Sequence, residues 1–571
     1  MGKREAYAAP EREREQPVRR RRRSRWPGAL LALLGLVVIA GLVWHFTRQE
    51  PEPLTLAEGY VAAPGESTAL YDELGQEVQT LIRGSKISYV VEEPWEEHPD
   101  QLRVPLGEDE KGKPVFGWLN RENLSEALSG VVTLDTVYVR RAQNLTDAGG
   151  APTGPLVERG QALTVTGYLG LQADGSVSQY QAEGGYIPAQ YVRLSQAEAE
   201  AAYDQAVYQL HADRGDSWGG GDAAGLDFDP YEKPAFADNP MPEKVKALYL
   251  NNAAICYPES YIALAQQSGI NAFVVDIMDG GAIGYASPTM QKYSPSAYAG
   301  AYNTLEEYQA GVKKLKDAGY YVIGRITTFN DPNLAADHPE QVISDLSGVP
   351  LKVSGMYWPT AYNRLVWQYK VDLALEAVEL MGFNEIQFDY VRFPDGTWNH
   401  DKAGTIDYHN TYGESKAQAI QRFLQYACDR LHAAGVYVSA DVFGECAESY
   451  VTAYGQYWAA ISGVVDAISA MPYPDHYSAV GSWLPWEHPY ECMKTFGDKA
   501  AQRQTETPTP AVVRTWIQCY NAIRAPYNTY GPDEVAAQIR ALEDSGNTGG
   551  YMTWNGASSV EKYRSLLPAF S

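Results

Sequence analysis

The C-terminal part of the chain, residues 245–571, is predicted to be an α/β domain in which eight parallel strands and their helices form a barrel. From residue 245 onward, apolar runs rich in β-branched residues alternate with longer helix-like segments, which is the pattern of repeated βα units. Eight units over this length fit a (β/α)8 barrel of the TIM type. A doubly wound open sheet is disfavoured, because no glycine-rich nucleotide loop follows the first run. The predicted strands are 246–251, 272–278, 321–328, 385–391, 436–443, 467–473, 512–518 and 550–555, and the clearest helices are 304–318, 363–381, 415–434 and 532–545.

The N-terminus combines a basic tail with a long apolar run. Residues 1–25 contain one lysine and nine arginines against four glutamates. The next stretch, 26–46, is uncharged, and as a helix it is long enough to cross a hydrocarbon core of about 30 Å. It lacks the Ala-x-Ala-like exit of a cleaved signal peptide, which is the alternative. We therefore expect a single transmembrane helix over 26–47, with the tail in the cytoplasm and the chain from the linker 48–67 onward outside the cell.

Charge and metal-ligand patterns exclude several classes of partner. The formal net charge is −25, and an acidic surface of this kind repels nucleic acid. The nine histidines form no HExxH or HxH pattern, so we expect neither a metal site nor a cofactor. The five cysteines form no CxxC pair, and their spacing identifies no disulfide; they are Cys256, Cys428, Cys446, Cys492 and Cys519.

Two segments of short β-like runs, 68–127 and 130–195, precede the barrel and end alike. The first ends in GWLNRENL at 117–124 and the second in GYIPAQYV at 185–192. Short strands with glycine turns favour small β-barrels, and this ending resembles the closing strand of bacterial SH3-type domains. The resemblance implies contact with cell-wall peptides or glycans; the alternative is a pair of passive spacers. Residues 196–244 are predicted to be a helix followed by a Gly/Pro/Asp-rich linker or wrapping segment.

The fourth and fifth predicted strands each carry one aspartate toward the mouth of the barrel. Side chains alternate along a strand, so Gln387 and Asp389 share the inward face while their apolar neighbours meet the outer helices. The fifth strand repeats this pattern with Ser439 and Asp441. Reactive residues of such barrels lie at the C-terminal strand ends. Paired carboxyl groups at one mouth suit glycosidic cleavage, since one protonates the departing oxygen and the other attacks the anomeric carbon or activates water. Asp389 and Asp441 are therefore the candidate catalytic residues.

Other predicted strand ends supply side chains that suit a sugar ligand. Tyr and Trp rings stack on sugars, while amides, guanidinium groups and imidazoles hydrogen-bond hydroxyl groups. The structural alternative is a set of internal salt bridges, between either catalytic candidate and Arg325 or Arg392, or between Asp276 and Arg325. Asp279 also follows the second strand. The candidate substrate-binding residues are Asp276, Arg325, Arg392, Asp475, Tyr473, His476, Tyr477, Trp516, Gln518, Trp554 and Asn555.

The stretch EIQFDYVRFP at 385–394 resembles the signature of a glycoside hydrolase family that is catalogued as a domain of unknown function. The resemblance covers about residues 245–565 and implies a TIM-barrel hydrolase related to retaining α-glycosidases, with the strand-four aspartate, here Asp389, as nucleophile. For the acid/base it leaves Asp441 and, after strand six, Asp475, where a small residue is expected. The other matches stand in the family's order along the chain and are Arg325-Ile326, VSADVFG at 438–444, Tyr473-Pro474, His476-Tyr477, His488-Pro489-Tyr490 and Trp554-Asn555.

Taken with the apolar run at 26–46, this pattern favours a membrane-anchored extracellular glycoside hydrolase that cleaves cell-wall or extracellular polysaccharide. The alternative is a non-catalytic cell-surface protein that binds glycan or peptidoglycan. A metal-dependent esterase or deacetylase is disfavoured, because the expected cluster of His and Asp is missing from the sequence.

Overall fold

The computed structural model describes residues 54–63, 67–91, 99–109, 111–127, 131, 136–171, 176–201, 214–216 and 218–571. The chain divides into two compact units, Met1–Ala127 and Leu128–Ser571. The predicted basic tail and the predicted transmembrane helix lie outside the described residues. Within the described ranges, no helix is both long enough and apolar enough to span a membrane.

The described part of the first unit is built from antiparallel β-strands in two sheets. Their inner faces enclose a small core that includes Leu70, Leu81 and Leu119. The segment predicted as the linker 48–67 contributes the first of these strands, since Val61 is fully buried and its strand pairs with a later one. The strands are Leu56–Val61, Ser67–Tyr71, Glu77–Ile82, Lys86–Val90, Gln101–Glu108, Pro114–Asn120 and Leu124–Ser125.

A second β region, at the start of the second unit, consists of shorter antiparallel strands. Val137, Leu163 and Ile187 belong to its core. It is followed by the short helix Gln196–Glu200. Its strands are Thr136–Val139, Gln143–Asn144, Leu156–Val157, Ala162–Thr164, Gly167–Leu169, Gln179–Ala182, Gly185–Pro188 and Val192–Arg193.

The two predicted endings adopt the same local structure in both β regions. Each consists of a strand, one turn of 3-10 helix and a short final strand; the turns are Arg121–Asn123 and Ala189–Tyr191. The buried aliphatic residue of each ending, Leu119 or Ile187, anchors its strand in the core. The sequence repeat therefore corresponds to a structural repeat, while its assignment to the SH3 type stays a prediction.

The barrel of the second unit contains eight parallel strands, each within two residues of its prediction. Their bounds are β1 Val245–Leu250, β2 Ala272–Asp279, β3 Tyr321–Thr327, β4 Glu385–Asp389, β5 Tyr437–Phe443, β6 Ala467–Met471, β7 in two parts, Val512–Val513 and Thr515–Gln518, and β8 Gly550–Trp554.

The strand order shows how the sheet curves into a nearly closed barrel. It runs from the first part of β7 through β6, β5, β4, β3, β2, β1 and β8 to the second part of β7. The break in β7 falls at Arg514, so both ends of the order belong to one strand. β8 begins at Gly550, with φ of 103°, where a Cβ atom would lie 1.8 Å from the carbonyl oxygen of Val245. This contact between β8 and β1 requires glycine. The prediction of an α/β barrel for the C-terminal region is confirmed.

One principal helix follows each strand. Capping explains two starts: Thr304 and Glu307 form a capping box, as do Ser415 and Gln418. The third helix ends at Gly382, whose φ of 67° suits glycine. The helices are α1 Glu259–Ala265, α2 Leu305–Asp317, α3 Arg364–Met381, α4 Lys416–Ala433, α5 Trp458–Ser462, α6 Pro489–Thr505, α7 Pro532–Asp544 and α8 Val560–Leu566.

Short helices and short strands lie in the loops that follow the C-terminal ends of the barrel strands. The short helices are Pro288–Tyr293, Pro295–Ala299, Pro332–Asp337 and Trp398–Ala403. The short strands are Ala282–Tyr285, Ala301–Asn303, Ser344–Asp345, Lys352–Val353, Met356–Tyr357 and Ile406–Asp407.

Residues 218–244 wrap the outside of the barrel, as one of the two predicted alternatives had it. Leu226 and Phe228 pack against residues of α4 and α5. Lys233 Nζ donates hydrogen bonds to three carbonyl oxygens at and just beyond the end of α5, the nearest at 2.7 Å on Val465. The five cysteines are free, and four of them are buried.

Candidate active site

The side chains inside the barrel alternate with those that face the helices, as predicted for β4 and β5. Ile386 and Phe388 belong to the core between the sheet and its helices, so Glu385, Gln387 and Asp389 point inward. In the lower layer, Arg514 Nη1 donates to both carboxylate oxygens of Glu385, at 2.7 and 2.9 Å, and both side chains are fully inaccessible. This buried ion pair fills the interior of the barrel below the mouth.

At the mouth, four aspartates from three strands, β2, β4 and β5, surround one guanidinium group. We call Asp276, Asp279, Asp389 and Asp441 with Arg325 the aspartate cluster. Arg325 Nη1 donates to Asp276 Oδ1 at 2.6 Å, and Nη2 donates to Asp389 Oδ2 at 2.5 Å and to Asp279 Oδ1 at 3.2 Å. Nε donates to Asp389 Oδ2 at 3.1 Å and lies 3.7 Å from Asp441 Oδ2. The salt bridges predicted as the structural alternative are therefore present, and Arg325 makes them.

Asp389 is held from both sides at the end of β4. Arg325 binds one oxygen, and the other accepts a 2.5 Å hydrogen bond from the backbone N–H of Tyr390. Tyr390 has a φ of 49°, in the left-handed region that a bulky residue rarely adopts. Such strained backbone concentrates at functional sites, where the surrounding structure has to maintain it.

Asp441 occupies the neighbouring position on β5, where its carboxyl group is fully buried. Its side chain has no solvent exposure, Oδ1 accepts a 2.8 Å hydrogen bond from Trp516 Nε1, and Oδ2 has no hydrogen-bond partner. Burial raises the pKa of Asp441 well above its usual range, and the charge of Asp389 raises it further, against the opposing effects of Arg325 and Trp516. The adjacent carboxyl groups thus have unlike environments.

Asp276 lies opposite, on β2, and is equally enclosed. Burial raises its pKa to about 7, with the charge of Asp279 adding to the effect and Arg325 and Tyr249 opposing it. The Tyr249 hydroxyl donates to Asp276 Oδ2. Asp276 therefore holds Arg325 in position from the β2 side of the cluster.

We predict that Asp276 makes the stability of the protein depend on pH. Its pKa is about 7 in the folded state and about 3.9 in an unfolded chain, so the folded state binds the extra proton between these values. The stabilisation is complete below about pH 4 and is lost as the pH rises through 7. Urea titrations should show the free energy of unfolding of the wild type, relative to Asp276→Asn, falling from pH 5 to pH 8. A difference that does not vary with pH would contradict the assignment.

A β-bulge in β2 brings Asp279 into the aspartate cluster. The register between β2 and β3 shifts between Asp276 and Met278. Strict alternation would turn Met278 inward, but it packs in the outer core instead, and Asp279 reaches Arg325. The sequence analysis located Asp279 after the second strand but gave it no role, because no local sequence pattern reveals the bulge.

Asp475, after β6, is engaged in a network with the β7 loop. One oxygen contacts His476 Nδ1 at 2.9 Å and accepts from the Tyr520 hydroxyl at 2.8 Å; the other accepts from Gln518 Nε2 at 3.2 Å and Ile523 N–H at 3.1 Å. Burial would raise the pKa of Asp475, but the hydrogen bonds, that of His476 first, bring it below the usual range. Both oxygens of Asp475 are thus occupied by hydrogen bonds, which link the loop after β6 to the loop after β7. Tyr520 and Ile523 belong to this network, and the sequence analysis did not predict them.

Aromatic rings cover the cluster on the side of β8. Trp554 is half-buried, packs at 89° and 5.6 Å against Trp516, and lies with its ring 5.3 Å from the Arg325 guanidinium. Tyr473 is buried beside His476, which is exposed. Trp554 therefore contacts the aspartate cluster through Arg325 while keeping some exposure.

Three predicted binding residues contact other neighbours. Arg392 stacks on Phe443 at 4.3 Å and donates to Asp395 at 3.0 Å. Asn555 is buried with its amide 3.4 Å from a backbone oxygen of the following turn. The hydroxyl of Tyr477, which is half-buried, packs against Gly444 at the end of β5. In the described part of the chain, no group of three His, Cys, Asp or Glu residues could hold a metal ion.

Comparison with known proteins finds a family model that covers most of the barrel. Residues 247–560 match a family described as "Putative glycosyl hydrolase domain", and no curated protein matches the chain. A hypothetical protein from Ruminiclostridium thermocellum ATCC 27405 is 36% identical over 34% of this chain and 97% of its own, with a TM-score of 0.29. The PgaB (BpsB) glycoside hydrolase domain from Bordetella bronchiseptica is 11% identical over 57% and 98%, with a TM-score of 0.38. Alpha-L-fucosidase isoenzyme 2 from Paenibacillus thiaminolyticus is 11% identical over 57% and 49%, with a TM-score of 0.36.

Proposed function

Because this chain belongs to that family of glycosyl hydrolase domains, we propose that it hydrolyses glycosidic bonds with Asp389 and Asp441 at the mouth of its barrel. The observation that carries the proposal is the placement of these two carboxyl groups on neighbouring strands, both within 3.7 Å of Arg325 Nε. Like charges so close push their proton affinities apart, so one carboxyl group stays protonated while its neighbour is ionised.

In this proposal the ionised member is Asp389, which attacks the anomeric carbon. Its two oxygens are fixed by Arg325 and by the Tyr390 N–H, so the carboxylate needs no reorientation as charge develops. Asp441 keeps its proton, since burial and the charge of Asp389 both favour the neutral form. A neutral Asp441 leaves Arg325 to balance the charge of Asp389.

The proposed substrate is a polysaccharide of the cell wall or the extracellular space. Its support is a series of exposed aromatic side chains on the loops beyond the C-terminal strand ends, since such rings stack on consecutive sugar units. The proposal places the chain at the cell membrane, single-pass through 26–46, with the barrel outside and the two β regions near the polymer. The exposed aromatic residues of these loops are Tyr257, Tyr298, Tyr302, Tyr357, Trp398, Trp483 and Tyr527.

A second candidate function is binding of glycan or peptidoglycan without turnover. The observation that favours it is the low exposure of the pair, 6% for the Asp389 side chain and 0% for that of Asp441. A substrate must reach a carboxylate that the barrel almost covers.

The test is release of reducing ends by the full chain, solubilised in mild detergent. The polymers are purified bacterial cell walls, dextran, xylan, alginate and chitosan, with the folded Asp389→Asn variant as the blank. We expect release from at least one polymer by the wild type and none by the blank. Tight binding of a polymer without release would replace the hydrolase by the binding protein.

A further inference from the structure

Cleavage of a glycosidic bond between two sugars requires proton transfer to the departing sugar oxygen, and the donor must reach the substrate. Within the aspartate cluster, only one carboxyl group combines solvent access with contact to the shared guanidinium. The exposed fraction of the Asp279 side chain is 39%, against 6% for Asp389, 2% for Asp276 and 0% for Asp441. Asp441 is thus shielded from a sugar at the mouth, whereas Asp279 faces it.

The backbone around Asp279 is built to hold this orientation. The bulge between Asp276 and Met278 shifts the inward–outward alternation of side chains at the end of β2 by one residue. Bulges often redirect a side chain in this way next to active sites. Gly280, with a φ of 56°, then turns the chain into a hairpin in which Asp279 pairs with Ala282. The Gly280 N–H donates to Thr327 Oγ1 at 2.8 Å, which ties the turn to the top of β3.

Asp279 and Asp389 are also close to one another. Asp279 Oδ1 and Asp389 Oδ2 accept from the same nitrogen, Arg325 Nη2, at 3.2 and 2.5 Å. The distance between these two oxygens therefore cannot exceed the sum of the two hydrogen-bond lengths. For these two oxygens, that limit lies below the separation of about 6.5–9.5 Å that inverting glycosidases need, and it admits the separation of about 5–5.5 Å found in retaining ones.

We propose that Asp279 is the acid/base of the site and that the reaction proceeds with retention of anomeric configuration. This assignment rests on the proposed hydrolase function. It differs from the sequence-based expectation of Asp441 or Asp475, because the first is inaccessible and every oxygen of the second already accepts hydrogen bonds.

The two steps balance with these residues alone. An Asp389 oxygen forms a bond to the anomeric carbon, the glycosidic C–O bond breaks, and the leaving oxygen takes the proton of the Asp279 carboxyl group. Water then enters, Asp279 accepts one of its protons, and the water oxygen displaces Asp389 from the anomeric carbon. Asp389 is released as a carboxylate and Asp279 is again protonated.

The experiment compares Asp279→Asn with the wild type on two substrates of unequal leaving-group quality. The probes are the polymer cleaved in the reducing-end assay and the 2,4-dinitrophenyl glycoside of its constituent sugar. We expect kcat/KM on the polymer to fall by about 10²–10⁴-fold. Formation of the glycosyl-enzyme from the dinitrophenyl glycoside, measured as the burst of phenolate, should stay near the wild-type rate, because that leaving group needs no proton. The alkaline limb of the pH profile of kcat/KM should disappear in Asp279→Asn. Azide should restore the turnover of the dinitrophenyl glycoside by this variant and give a glycosyl azide of retained configuration.

Two further variants make the outcome decisive. Asp279→Glu returns a carboxyl group one methylene away and should recover part of the polymer activity together with the alkaline limb. Equal losses for Asp279→Asn on both probes, or no loss on either, would overturn the assignment. If Asp441→Asn instead lost activity on the polymer but kept the burst from the dinitrophenyl glycoside, the acid/base would be Asp441. A wild type that cleaves none of the polymers overturns the hydrolase itself, a result that is separate from an active wild type with an unaltered Asp279→Asn.

Discussion

Asp389→Asn should lower kcat by at least about 10⁴-fold, because it removes the group that attacks the anomeric carbon. The substitution is nearly isosteric, and the amide can still accept from Arg325, so the fold should be retained. Steady-state release of reducing ends measures the loss, and near-ultraviolet circular dichroism confirms the fold. With azide and the dinitrophenyl glycoside, this variant should form a glycosyl azide of inverted configuration, since azide would attack in place of Asp389.

A matched control for Asp389→Asn is Asp317→Asn. Asp317 ends α2 on the outside of the barrel, where its exposed carboxylate forms an ion pair with Lys313 one helical turn away. It should keep wild-type kcat, and its stability should change by well under 1 kcal/mol, because exposed ion pairs contribute little. Comparable activity in Asp389→Asn and Asp317→Asn would remove Asp389 from the mechanism.

Arg325→Met should lower the free energy of unfolding at neutral pH by about 3–5 kcal/mol, since it leaves buried carboxylates without their counter-charge. Among the described residues, no second Lys or Arg lies within ion-pair distance of the four aspartates of the cluster. Without the guanidinium, which lowers both values, the pKa values of Asp276 and Asp441 in the folded state should rise. Protons are then bound more tightly by the folded than by the unfolded chain, so the variant should lose stability as the pH rises. Denaturant titrations at pH 5 and pH 8 should show the larger deficit at pH 8.

Arg392→Met is the control for the loss of Arg325. Arg392 is also a buried guanidinium at the mouth, but it rests on aromatic rings and its ion-pair partner Asp395 is exposed. Its removal should cost less stability, and the cost should not depend on pH between 5 and 8. Equal, pH-independent losses for the two variants would show that Arg325 acts by packing and not by charge.

The parts of the site that local periodicity encodes were predictable. β4 and β5 alternate apolar and polar residues with a period of two, so the inward direction of Asp389 and Asp441 followed from the sequence and was observed. The strand bounds were predictable for the same reason, because each apolar run must be buried on at least one face.

The partners of the aspartates were not predictable in this way. The sequence offered both Arg325 and Arg392 as partners for Asp389, and the register between β3 and β4, which sets Arg325 beside Gln387, decides for the first. The saturation of Asp475 depends on Tyr520 and Ile523, which lie 45 and 48 positions further along the chain. Such contacts arise from strand order and loop packing, which no local pattern contains.

The sequence by itself determined the βα repeat, the inward aspartates on β4 and β5, and the family to which residues 247–560 belong. Tertiary structure alone decided that Arg325 joins four aspartates, that Asp441 is sealed from solvent and that Asp279 faces the mouth. The physical reason is the bulge in β2: the side-chain direction after Asp276 depends on the register with β3, and that register is set when the barrel closes.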